Sequence, residues 1–387
     1  MLKPANRVAE SVTFHAVEFA KKAQLLRESG RDIVSLSIGE PDFTAPPLVC
    51  ETLAKASQSG LSGYSPTLGL APLRLCIADY YNEQFGANIS HNQVIITTGA
   101  SGALLLTAQT LLNPGDEVLM PDPYYPANFN FILTAGARTK LIPCTPEERF
   151  QLSAEKIKAN WGPNTRAVLI ASPSNPTGTS ITDEELQKIC KTVKSLGGIV
   201  ILDEIYLGLS YDRQAKSGLA FDPDIIVINS FSKYFNMTGW RLGWIIAPDS
   251  LVPAFEKISS SLTICAPTLA QHAAISCFAP ESIALYNKRR AAFKERRDYL
   301  LPELERLGLH VPVKPDGAFY IYCDISKYSD DSVDFANQLL EKAGVATVPG
   351  LDFGPTYAKT MLRLSYATSI EQLKIAVQRL EDFLSEI

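Results

Sequence analysis

The stretch RAVLIASPSNPTGTSITDEELQKICKTVKSLGGIVILDEIY, residues 166–206, holds two apolar runs with a helical pattern between them. RAVLIA (166–171) and GGIVILD (197–203) are short and continuous rather than alternating, as strands buried on both faces are. Between them, Leu186, Ile189, Cys190 and Val193 recur at helical spacing. Strand, helix and strand joined by turn residues form the unit from which parallel sheets are assembled.

The same texture extends to both sides. QVIITTG (93–99), EVLMPDP (117–123), RTKLIPC (138–144), DIIVINSF (224–231) and RLGWIIAP (241–248) are further apolar runs, and ASGALLLTAQTLL (100–112) is a further helical one. Together they predict a three-layer α/β/α domain around a mostly parallel sheet. After about residue 280 the pattern changes to a long charged helix (281–308), strand-like AFYIYCDIS (318–326), a helix near 333–344, strand-like MLRLSYA (361–367) and a terminal helix. This predicts a smaller α+β domain. The expected division is 48–282 for the large domain, with 1–47 and 283–387 forming the small one. The N-terminal stretch 1–24 reads as one amphipathic helix that packs with the small domain.

Composition narrows the function classes. A chain of 387 residues with 46% apolar and 20% charged residues has the make-up of a globular protein with a large core. The net charge of −5 offers no broad basic field for nucleic acid, and no apolar run is long enough to span a bilayer. Seven scattered cysteines without a CxxC pair fit free thiols in a reducing cytoplasm, which is the expected compartment. Four dispersed histidines and no HExxH give no reason to expect a metal.

In open α/β sheets, ligands sit beyond the carboxyl ends of the strands. Five of these ends carry unusual residues: VIITTGASGAL (94–104), PDPYYP (121–126), SPSNPTG (172–178), LDEIY (202–206) and NSFSK (229–233). The first opens a helix with a Gly/Ser turn, which presents backbone N–H groups to an anion or is simply a turn. Asn175 before a proline also reads as turn chemistry, Asp203 as an N-cap, Tyr125 and Tyr206 as core, and Lys233 alone as a surface lysine. As a set they form a coherent kit. A desolvated lysine amine can attack an aldehyde, a carboxylate can keep a pyridine nitrogen protonated, and a helix N-terminus can hold a phosphate.

With SFSKYFNMTGWRLG (230–243), NPTG (175–178) and DEIY (203–206) in this order, the chain resembles the class I/II aminotransferases, pyridoxal-phosphate enzymes of fold type I, over essentially its whole length. The resemblance implies that Lys233 is the Schiff-base lysine and moves the Cα proton. It implies that Asp203 pairs with the pyridine nitrogen, that Asn175 and Tyr206 bond the ring 3-oxygen, and that Tyr125 stacks on the ring. Gly99, Ala100, Ser101, Ser230 and Arg241 would hold the phosphate, joined by Tyr64 of a neighbouring subunit in a homodimer. Arg363, Gly39 and Asn175 would bind the substrate α-carboxylate. The implied activity is transfer of an amino group between an amino acid and a 2-oxo acid, with glutamate and 2-oxoglutarate as one pair.

Ser101 stands where one aspartate-aminotransferase subgroup has a lysine that meets a distal carboxylate, which puts that specificity in doubt. Ser11, Thr13, Phe14, His15 and Phe353 are further candidates for the substrate pocket. A C–S β-lyase of the same fold and a non-catalytic binding protein are the alternative readings. A nicotinamide-dependent dehydrogenase lacks its glycine fingerprint here.

Overall fold

The computed structural model describes residues 2–387. Its largest sheet has seven strands, one for each apolar run, in the spatial order Val94–Thr97, Gly243–Ile246, Ile226–Ser230, Ile199–Asp203, Thr165–Ala171, Glu117–Asp122 and Arg138–Pro143. Gly243–Ile246 runs antiparallel to both of its neighbours, and all other pairings are parallel. Along each strand, successive side chains enter different layers. Ile96, Val168, Ile170, Val200, Leu202 and Val227 join one core, and Ile95, Ala167, Leu169, Ile201, Ile226 and Ile228 join the other. Two buried faces explain why these strands contain no polar alternation.

The helix Asp183–Ser195 covers the first layer with Leu186, Ile189, Cys190 and Val193, and Gly99–Leu111 covers the second. A Thr182 side chain that accepts from the Glu185 N–H, followed by three acidic residues, starts the former helix where N-terminal donors and the helix dipole favour it.

The smaller α+β unit is an antiparallel sheet of Val348–Pro349, Met361–Ser365 and Tyr320–Asp324, backed by the helices Pro280–Arg306 and Ile370–Leu384. Val34–Ser35 pairs in parallel with Val345–Ala346 and so joins the N-terminal segment to this region. The single N-terminal helix expected from sequence is instead two, Arg7–Glu10 and His15–Glu28. Asn130 exchanges hydrogen bonds with both the N–H (3.0 Å) and the carbonyl (3.1 Å) of Val12, and β-branched Val12 and Thr13 resist helix anyway. The second helix starts where the buried Asp352 carboxylate accepts from the His15 (2.8 Å) and Ala16 (2.7 Å) N–H groups. Among the described residues no helix is long and apolar enough to cross a membrane.

Candidate active site

A cavity of about 460 Å³ opens at the carboxyl end of the seven-stranded sheet. Ala100, Ser101, Tyr125, Asn175, Asp203, Tyr206, Lys233 and Arg241 reach it from successive strand ends, and Gly39 and Arg363 close it from the smaller unit. Three of the residues expected at the cofactor do not line it. Gly99 lies just behind, in the left-handed region at φ 69°, where a Cβ would stand 2.7 Å from Arg241 Nη2. Glycine there lets the guanidinium lie against the start of the helix. Ser230 is 1% exposed; its hydroxyl is 3.0 Å from the Leu242 carbonyl and 2.9 Å from the Ser232 hydroxyl, and it is Ser232 that lines the cavity. Tyr64 is 83% exposed and stands away from the cavity.

The helix Gly99–Leu111 has no side-chain cap, so the donors of its first turn are free for an anion, and Arg241 stands beside them with Nη1 donating to the Thr238 carbonyl at 3.0 Å. On the neighbouring strand, burial pushes the Asp203 carboxyl up to about 6, against the opposing pull of the Ile205 N–H (3.0 Å) and of Lys233. Around neutral pH it is still mostly ionised. That N–H is the one hydrogen bond its carboxylate receives among the described residues.

Lys233 lies three residues past the strand Ile226–Ser230, and its amine donates to the Gly39 carbonyl. Poor solvation pulls its pKa down to about 8; Glu40 and Asp203 oppose the drop, and Arg363 and Arg241 reinforce it. A substantial neutral fraction near neutral pH is what a nucleophile and a proton carrier require.

Arg363 is 2% exposed on the central strand of the small sheet. Nη1 donates to Asn175 Oδ1 (2.9 Å) and Nη2 to the Ser37 carbonyl (2.7 Å), while the buried Nε has no partner. Its guanidinium stacks 4.4 Å from the Tyr320 ring centre and 5.1 Å from that of Phe353. A planar arginine fork at a cavity wall is suited to a carboxylate.

Tyr320 belongs to the site although sequence reasoning did not single it out. Its hydroxyl shares a 2.8 Å hydrogen bond with that of Tyr206, and it stands 2.6 Å from where a Cβ on Gly39 would be, so a larger residue at 39 would displace it. The available signal was the alternation in AFYIYCD, which puts Tyr320 and Tyr322 on one face of a strand. Glu40, Ser37 and Ser232 also line the cavity. Of the N-terminal candidates, Phe14 lines it, with its ring edge-on to Tyr125 at 5.9 Å. Ser11, Thr13 and His15 do not, and His15 faces Glu18 at 3.2 Å. Phe353 packs behind Arg363.

The donor set fits pyridoxal phosphate: an uncapped helix start beside an arginine, a buried carboxylate with room for a cationic partner, an amide and a phenol near each other, a depressed lysine and an aromatic face.

The family profile described as "Aminotransferase class I and II" matches residues 31–380. The chain is 39% identical to the valine–pyruvate aminotransferase of Mycobacterium tuberculosis, with 91% of each chain covered. Among solved structures, it superposes on an aminotransferase from Mycobacterium tuberculosis with a TM-score of 0.96 at 36% identity, over 100% of both chains. It superposes on the Thermus thermophilus aspartate aminotransferase solved with maleate with a TM-score of 0.93 at 35% identity, over 99% of this chain and 100% of that one. A match over nearly the whole chain, on a fold whose strand ends converge on one such cavity, establishes that this protein belongs to the class I and II aminotransferases, transaminases of fold type I whose membership implies pyridoxal phosphate as cofactor.

Proposed function

We propose that the protein transfers an amino group from an L-amino acid to a 2-oxo acid in a ping-pong cycle, with glutamate and 2-oxoglutarate as one of its substrate pairs. The observation that carries this reading is the convergence of Lys233, Asp203 and Arg363 on one cavity. Bound pyridoxal phosphate supplies an aldehyde that takes up the amino group and a ring that accepts the electron pair left at the substrate Cα.

The residues divide the remaining work. The backbone N–H groups of Ala100 and Ser101, with Gly99 making room for Arg241, hold the phosphate, and Ser230 supports them through Ser232. Asp203 as the carboxylate keeps the ring nitrogen protonated. Asn175 and Tyr206 donate to the 3-oxygen, Tyr125 covers the ring face, and Tyr320 orients the Tyr206 hydroxyl. Arg363, with Gly39 and Asn175, binds the α-carboxylate and so sets the Cα–H direction. Lys233, whose amine here donates to the Gly39 carbonyl, would hold the cofactor through its aldehyde carbon and, once displaced by the amino acid, would act as the base that carries the Cα proton. Residues 1–47 and 283–387 close on 48–282 and exclude water.

We place Tyr64 in the neighbouring subunit's site. Its exposure supports this, as do the exposed apolar side chains of Leu61, Leu262 and Ile264. Mixing Tyr64→Ala and Lys233→Ala chains tests it. If Tyr64 acts across the interface, each mixed dimer regains one intact site and activity appears; if it acts within its own chain, the mixture stays at the level of its parents. For the reaction itself, single amino acids added to the purified holoprotein should change the cofactor spectrum, and a 2-oxo acid should reverse the change. Pyruvate and ammonia released without any oxo acid would instead indicate β-elimination.

A further inference from the structure

Three cations line the cavity, and each already has a place. Arg241 lies against Gly99 at the helix start, Arg363 is bonded to Asn175 and Ser37, and Lys233 to Gly39. The remaining charges are negative: Asp203 on the cofactor side, and Glu40, whose carboxylate accepts from the Thr238 hydroxyl. Between these groups the wall is apolar. It consists of Phe14, Val17 and Ala20 from the N-terminal segment, Ile38 beside Gly39, and Leu104 one helical turn beyond Ala100. Asp352 and Asn130 hold the N-terminal part of this wall in place through the backbone of Val12, His15 and Ala16.

We propose that the preferred amino donor carries an uncharged apolar side chain of the leucine or phenylalanine class, seated on Phe14, Val17, Ala20, Ile38 and Leu104. The inference rests on the amino-transfer reading above and specifies its substrate. An apolar side chain is removed from water on this wall at no electrostatic cost. The distal carboxylate of aspartate would be desolvated without a cation from this chain and would face Glu40, a like charge. Glutamate meets the same wall, so it is the weaker-binding pair of the cycle, with the higher KM. A lysine side chain would bring a charge onto the apolar wall, with only Glu40 at its edge as a partner.

The test is a half-reaction series on the holoenzyme with leucine, phenylalanine, aspartate, glutamate and lysine, together with calorimetric binding of two amine-free analogues, 4-methylpentanoate and succinate. Leucine or phenylalanine should exceed aspartate and lysine by about tenfold or more in kcat/KM, and 4-methylpentanoate should bind more tightly than succinate by a similar factor. Ile38 is 42% exposed and tolerates a charge, so Ile38→Arg should raise the aspartate rate and lower that of leucine, each by about tenfold. Aspartate or lysine equal to or faster than leucine, or succinate binding as tightly as 4-methylpentanoate, overturns the inference and leaves amino transfer standing. If no amino acid changes the spectrum, amino transfer itself fails, and the analogue binding still decides the chemistry of the wall.

Discussion

Asp203 ends one of two neighbouring parallel strands and Lys233 follows the other, whereas Phe14, Ile38, Tyr320 and Arg363 opposite them come from the two ends of the chain. The cofactor side is polar, and each of its groups sits where a strand or a helix terminates. The opposite side is largely apolar apart from Arg363 and Glu40, and it takes its shape from contacts between segments more than 300 residues apart, such as Asp352 with His15 and Ala16. The first side determines what reaction is possible, and the second determines which molecule is presented to it. Substitutions should therefore separate the two: changes on the cofactor side lower kcat, and changes opposite raise KM.

The largest separation is expected for Lys233→Ala. Loss of the proton carrier should lower kcat by about 10⁴-fold or more. The variant should not be less stable at neutral pH than the wild-type apoprotein. The Lys233 pKa is depressed on folding, so its penalty is complete below about pH 8 and is relieved as pH rises from there toward the ordinary lysine value of 10.5. Wild-type apoprotein should gain stability across that interval, and the alanine variant should lack that gain in thermal melts. A large loss of stability at neutral pH in the variant would contradict a poorly solvated amine.

The same amine gives the next largest effect. With a midpoint near 8 rather than 10.5, Lys233 has roughly 300-fold more neutral amine at pH 7 than a surface lysine. Competitive acylation of the apoprotein, read by peptide mass spectrometry, should show Lys233 reactivity levelling off above about pH 8 while surface lysines keep rising. A common midpoint near 10.5 would remove the basis for its activation.

On the opposite side, Arg363→Lys keeps the charge but loses the fork that reaches Asn175 and Ser37 together, and the stack on Tyr320. KM for the amino donor should rise by about 10²-fold, with a smaller change in kcat. An equal fall in kcat with KM unchanged would place Arg363 on the cofactor side. The smallest effect is expected for Asp352→Asn, which weakens the cap on the helix His15–Glu28 by about 1 kcal/mol. KM should rise about fivefold and kcat stay constant, because the wall that carries Phe14 and Val17 loosens while the catalytic groups do not move.

Legibility in the sequence follows the same division. All seven strands of the large sheet were visible as apolar runs, since burial on both faces leaves its mark on every residue. The cofactor-side residues were found because each lies within a few positions of such a run. Ser230 shows the limit: the resemblance placed it at the phosphate, but only the fold puts Ser232 at the cavity surface and Ser230 behind it. The break in the N-terminal helix was hard to read because β-branched Val12 and Thr13 are only a weak local signal and the residue that holds the break, Asn130, lies 118 residues away.

The sequence alone determined the layered α/β architecture, because local patterning carries it, and its strand-end motifs carry the family resemblance that implies the reaction class. The strand order, the antiparallel place of Gly243–Ile246, the Tyr206–Tyr320 pair and the apolar wall beside Glu40 were decided only by tertiary structure. Each of these depends on which distant segments meet, and that is fixed by the packing of whole faces rather than by any short run of residues.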